Sequence, residues 1–151
     1  MLVKNLNEAD AKKILHSSIY NKTDISHLSG LRDRQPSLSG TQVQKGSFYV
    51  PENFGVAFGK ISGDRNPVHT SSHIAKLFGY PKAFIQGMAT VNFLLKFFVC
   101  DCKKVIKQLD ITFCNPIFVD QNVQIHFNDN DNEYEVIDSR GKLTAFGTYK
   151  E

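Results

Sequence analysis

The segment Ile61–Tyr80, ISGDRNPVHTSSHIAKLFGY, gathers the residue types best able to do chemistry. Asp64 and His69 stand five positions apart across GDRNPVH. Pro67 has no N–H to continue a helix and biases Asn66 away from the α region. The backbone of a shaped loop, not a helix face, therefore sets where the two side chains point. A carboxylate and an imidazole aimed at one small volume can hold a water and move a proton to or from it, as addition of water to a double bond requires. Taken singly, each residue has a structural explanation. Asp after Gly is a common turn residue, His69 can satisfy a helix end, and Asn before Pro initiates turns. It is the cluster that points to chemistry.

The elements that must position this loop follow from periodicity. Ala11, Ile14, Leu15 and Ile19 have near-helical spacing, and residues 21–46 read as a polar loop or lid. Phe48–Val50 suggests a short strand. Pro51 and Glu52 suit a first helical turn, Phe54, Phe58 and Ile61 share one helix face, and the helix should end near Gly63. Thr70 or Ser71 caps a second short helix, closed by Gly79, Tyr80 and Pro81. A longer helix begins near Gly87 and is apolar nearly all round, so other structure should enclose it. Beyond Lys103 the period becomes two: Ile111 and Phe113, then Val123, Ile125 and Phe127, then Tyr134 and Val136, then Thr144, Phe146 and Thr148. Turn signals at 129–132 and 139–141 predict antiparallel hairpins. The sum is an α+β domain whose sheet curls around a helix.

Composition narrows the function classes. A chain of 151 residues, 41% hydrophobic and 22% charged, accommodates one folded core. The net charge of +3 is scattered, and nothing asks for nucleic acid. Cys100, Cys102 and Cys114 are odd in number and sit in apolar sequence, so half-buried or buried thiols are expected instead of disulfides or a metal site. The opening MLVKNLNEADAKKIL lacks the form of a secretory signal, and 83–100 is too short and polar to span a membrane. A cytoplasmic protein without a membrane partner is expected. His126 alternates onto the solvent side of its strand, and His73 falls on the surface of a short helix.

The segment GDRNPVH, preceded by a Phe-rich helix and followed by HIAKLFGYPKAFIQGM, resembles the signature of the MaoC-like dehydratases, which the (R)-specific enoyl-CoA hydratases share. FCNPIFVDQNV resembles the family's strand entering the sheet, and DSRGKLTAFGTY its closing hairpin. The resemblance divides the chain into an N-terminal helix and polar extension, 1–45, and a MaoC-like domain, 46–151. It implies a hot-dog fold, an antiparallel sheet wrapped around a long central helix, paired into homodimers or multiples of them.

The resemblance also implies roles. Asp64 and His69 would bind the catalytic water, with Ser62, Gly63, Asn66 and Pro67 shaping their loop. In IQGMAT, the N–H of Gly87 at the helix start would stabilise the enolate-like oxygen of a thioester, with Gln86 and Met88 beside it. Gln86 stands where the family usually carries histidine. Glutamine keeps hydrogen-bonding capacity but cannot take a proton near pH 7. The implied reaction is reversible hydration of trans-2-enoyl thioesters of CoA or acyl carrier protein to (R)-3-hydroxyacyl thioesters, with no cofactor and no metal. The alternatives are a non-catalytic acyl-thioester-binding subunit and a thioesterase of the same fold.

Overall fold

The computed structural model describes residues 26–40 and 42–151. The chain divides into two compact units, Met1–Leu31 and Arg32–Glu151. The helix expected over residues 10–19 lies outside the described residues. Helix α1, Ser26–Asp33, interrupts the stretch read from sequence as polar loop. Arg32 in its last turn suits the negative end of the helix dipole.

The second unit is built from β1 (Gln44–Val50), α2 (Phe54–Ser62), α3 (Pro67–Thr70), α4 (Ser72–Leu77) and α5 (Gly87–Lys96), which passes into a π turn at Phe97–Asp101. Then come β2 (Gln108–Phe113), β3 (Gln121–Asn128), β4 (Glu133–Ile137) and β5 (Leu143–Lys150). The strands form one antiparallel sheet in the order β1-β3-β4-β5-β2. The boundary expected between residues 45 and 46 falls inside β1.

Alternation in β3 turns Val123, Ile125 and Phe127 inward, where they are buried with Tyr134, Val136, Ala145 and Tyr149 of the neighbouring strands. α5 lies against this face through Ala89 and Leu94, and the π turn adds Phe98. The Phe98 ring meets Phe127 edge-on at 5.5 Å and Tyr134 at 5.9 Å, the geometry aromatic quadrupoles prefer. This is the hot-dog arrangement. The helix is not enclosed on every side, because Met88 is 63% and Val99 47% exposed. A second aromatic layer, Phe48 stacked on Phe93 at 4.2 Å and Phe54 at 5.0 Å from Phe93, fastens α2 to α5 and β1.

The outer face of the sheet is also covered. The buried Glu135 carboxylate accepts hydrogen bonds from Ser37 N (2.8 Å), Ser37 Oγ (2.8 Å) and Leu38 N (3.0 Å). The Arg34 guanidinium lies 3.8 Å from the centroid of the Phe146 ring. His126, expected to face solvent, is half-buried, with Lys45 and Glu135 as its cross-strand neighbours. Among the cysteines, Cys114 is buried and Cys102 half-buried, as expected, whereas Cys100 is exposed on the π turn.

Candidate active site

The loop Gly63–Asn66 is shaped by its own polar side chains. α2 stops at Gly63, whose φ of 80° is a left-handed cap that glycine adopts without strain. Ser62 Oγ donates to Phe58 O at 2.9 Å and accepts from Asp64 N at 3.2 Å. Asp64 Oδ1 accepts from Asn66 N at 3.2 Å, and Asn66 Oδ1 accepts from Val68 N at 3.3 Å, capping α3 with Pro67 at its first turn. Ser62, Gly63, Asn66 and Pro67 thus shape the turn that carries Asp64 to His69.

His69 is held from the other side. Its Nδ1 lies 2.8 Å from Phe84 O, and since a carbonyl only accepts, Nδ1 carries the proton in the neutral ring. Nε2 is then a free lone pair, 3.8 Å from Asp64 Oδ2. That gap is too long for a direct hydrogen bond and suits two acceptors that share one small donor. The His69 side chain is 12% exposed and that of Asp64 48%, so one partner is fixed in the wall and the other meets solvent.

Two glycines set how closely α2 approaches this loop. A Cβ on Gly55 would stand 1.8 Å from His69 O, and one on Gly59 2.7 Å from Asp64 O. Neither position tolerates a side chain without moving the main chain of the pair. Sequence reasoning passed over both, although their i, i+4 spacing on α2 was a visible signal.

Gln86 completes the frame. It is 2% exposed, and its Nε2 donates to Asp64 O at 3.1 Å and Gly55 O at 3.3 Å. Its Oε1 is buried with no hydrogen-bond partner among the described residues. The amide NH₂ thus uses both hydrogens on two carbonyls from different elements. Gly87 follows as the first residue of α5 and is exposed, so the N–H groups that a helix leaves unpaired at its start are reachable there. Met88 is exposed beside it.

Gly87 also borders a cavity of about 310 Å³, lined by Tyr80, Phe84, Ile85, Thr90 and Phe113 among others. Asp64 and His69 do not line it. Phe84 joins the two regions: its carbonyl orients His69, its ring meets the imidazole edge-on at 4.8 Å, and it forms part of the cavity wall. The structure therefore brings Asp64, His69 and Gln86 into contact and sets Gly87 one residue beyond. Among the described residues no group of His, Cys, Asp and Glu could hold a metal ion, and no helix is long and apolar enough to cross a membrane.

The same architecture occurs in solved structures. An (R)-hydratase from A. caviae involved in PHA biosynthesis superposes with a TM-score of 0.61 at 18% identity, over 75% of this chain and 95% of that one. The peroxisomal multifunctional enzyme type 2 of Drosophila melanogaster gives 0.63 at 18% identity, over 77% of this chain and 24% of its own. In sequence, the peroxisomal enoyl-CoA hydratase 2 of Arabidopsis thaliana is 33% identical over 63 residues, 39% of this chain. This chain spans only 20% of that protein's length. The family model for the MaoC like domain matches residues 36–144, from the strap that holds Glu135 to the last strand of the sheet. The chain belongs to the MaoC-like domain family.

Proposed function

We propose that the protein catalyses reversible hydration of a trans-2-enoyl thioester to the (R)-3-hydroxyacyl thioester. The observation that carries this reading is the fixed tautomer of His69, which aims a proton-accepting Nε2 at Asp64 Oδ2 across 3.8 Å. A water held by both atoms would present its oxygen to C3 of the alkene. As the C3–O bond forms, the pair takes one water proton, the thioester oxygen carries transient negative charge, and the pair then delivers a proton to C2, so that one water is added in all. The exposed start of α5 at Gly87 supplies N–H groups and a dipole of the right sign for that charge. Ser62, Gly63, Asn66, Pro67 and Gln86 act through the placement of the pair and Met88 by lying beside Gly87.

The family match and the resemblance to enoyl-CoA hydratase 2 support this reaction class. We also propose a homodimer, because among the described residues β1 and β2 each end the sheet with an unpaired edge. The test is incubation with a short trans-2-enoyl-CoA, resolving 3-hydroxyacyl-CoA from free CoA. Hydration yields the first. Release of CoA would mean a thioesterase, and binding without turnover would mean an acyl-thioester-binding subunit.

A further inference from the structure

α2 presents Gly55 and Gly59 to the main chain of the Asp64–His69 loop. One position on, Val56 and Lys60 occupy the adjacent face of the helix, and with Arg65 and Thr70 they line a groove of about 460 Å³. The groove therefore runs along the flank of the loop, with Arg65 next in sequence to Asp64 and Thr70 next to His69. Lys60 and Arg65 are exposed. Arg65 follows an exposed carboxylate, yet among the described residues neither it nor Lys60 enters an ion pair. Two exposed cations at one groove, without an ion-pair partner among the described residues, make a site for an anion that arrives from outside.

We propose that this groove holds the phosphate of the pantetheine arm that carries the acyl group, the anion common to coenzyme A and acyl carrier proteins. The inference rests on the thioester reading above and adds where the carrier lies. The Val56 methyls and the Thr70 side chain give the uncharged arm a surface between the reacting atoms and the phosphate. Lys60 supplies a point charge and Arg65 a fork of donors to the phosphate oxygens.

The test uses the full chain and four 2-butenoyl thioesters: of pantetheine, of 4′-phosphopantetheine, of coenzyme A and of a holo acyl carrier protein. In the double variant Lys60→Glu/Arg65→Glu, KM should rise about tenfold or more for the three phosphate-bearing substrates. With phosphate-free pantetheine both KM and kcat should stay near wild type. The charge-preserving pair Lys60→Arg/Arg65→Lys should keep most of the wild-type preference. Raising the ionic strength should shrink that preference in wild type.

Equal KM changes with and without the phosphate, or none, would overturn the proposal. A change confined to coenzyme A would overturn it in favour of the nucleotide phosphates. If wild type turns over none of the four, the hydratase reading fails, and calorimetric titration with 4′-phosphopantetheine and pantetheine still decides the groove. Tighter binding of the phosphorylated form that the double variant abolishes supports the site, and equal binding of the two forms refutes it.

Discussion

The side-chain amide of Gln86 donates a hydrogen bond to the main-chain carbonyl of Asp64 at 3.1 Å, while its second hydrogen reaches Gly55 O at 3.3 Å. One buried NH₂ group ties the start of α5 to α2 and to the loop that bears Asp64. A neutral imidazole has a single N–H to offer, so the histidine more usual in the family could serve only one of these carbonyls.

Gln86→Leu leaves both carbonyls without their donor. A buried polar group stripped of its partner costs about 1–3 kcal/mol, so the urea midpoint should fall, and kcat should fall with it as Asp64 loosens. Gln86→His should keep the fold and the activity and cost less stability than leucine. A leucine variant as stable and active as wild type would show that the amide does not position the loop.

Asp64→Asn and His69→Ala should each lower kcat/KM on a trans-2-enoyl-CoA by about 10²- to 10⁴-fold, the usual contribution of positioned proton transfer. Because both would hold one water, the double variant should lose far less than the product of the single losses. Thermal unfolding run in parallel separates chemistry from stability. Near-normal kcat/KM in both single variants, with wild type active, would move the site elsewhere.

Gly55→Ala and Gly59→Ala should differ in severity. The Cβ at 55 would stand 1.8 Å from His69 O, a contact only a main-chain shift can relieve, whereas at 59 the distance is 2.7 Å. Overpacking of this kind commonly costs about 1–3 kcal/mol. Gly55→Ala should lie at or beyond the top of that range, and Gly59→Ala should fold while losing activity. Denaturant curves and initial rates on the same samples check the order, and reversal of it would contradict the packing.

Stability should decline in two steps as the solution is acidified. Burial, helped by the charge of Lys45, holds the His126 pKa below its ordinary 6.5, and Nδ1 is buried with no partner among the described residues. Below about pH 6.5 the unfolded chain takes this proton first, so stability present above that value is lost as pH falls through the folded pKa. For Asp129, burial alone would raise the pKa, but hydrogen bonds from Tyr149 and Lys104 outweigh it and hold the carboxyl below 3.8. Its contribution is present above that value and is lost as pH falls through the lower folded pKa. His126→Gln should flatten the first step and leave the second. Urea midpoints across the range would show it, and an unchanged profile would exclude His126 as the source.

Light scattering should return about twice the 17.0 kDa of one chain. A fully active monomer at every concentration would overturn the homodimer.

The parts legible in the sequence were those written in local chemistry. Pro67 after Asn66 announced a shaped turn, and the alternation from Val123 to Phe127 announced a strand with one face inward. The Gly87 helix start was visible for the same reason. What escaped depended on contacts between distant segments. Gly55 and Gly59 look like weak points in a helix until His69 O and Asp64 O are seen against them. His126 alternates outward as expected, yet Lys45 and Glu135 beside it limit its exposure. α1 carries only eight residues, and Leu28 and Leu31 are its only large apolar ones, too few to set it apart from the polar stretch around it.

The bonds from Ser37 and Leu38 to Glu135 bear on where a workable recombinant fragment can start. A version cut to begin at the first strand would keep β1 to β5 and α2 to α5, yet would remove the Ser37 and Leu38 donors that hold the Glu135 carboxylate. A hydrogen bond to a charged group typically contributes about 1.5–3 kcal/mol, a large share of what holds a domain this size together. The seven-residue approach to the sheet, Arg34–Gly40, is therefore part of the smallest piece worth expressing, and replacing Glu135 with glutamine should be what allows a shorter one to survive.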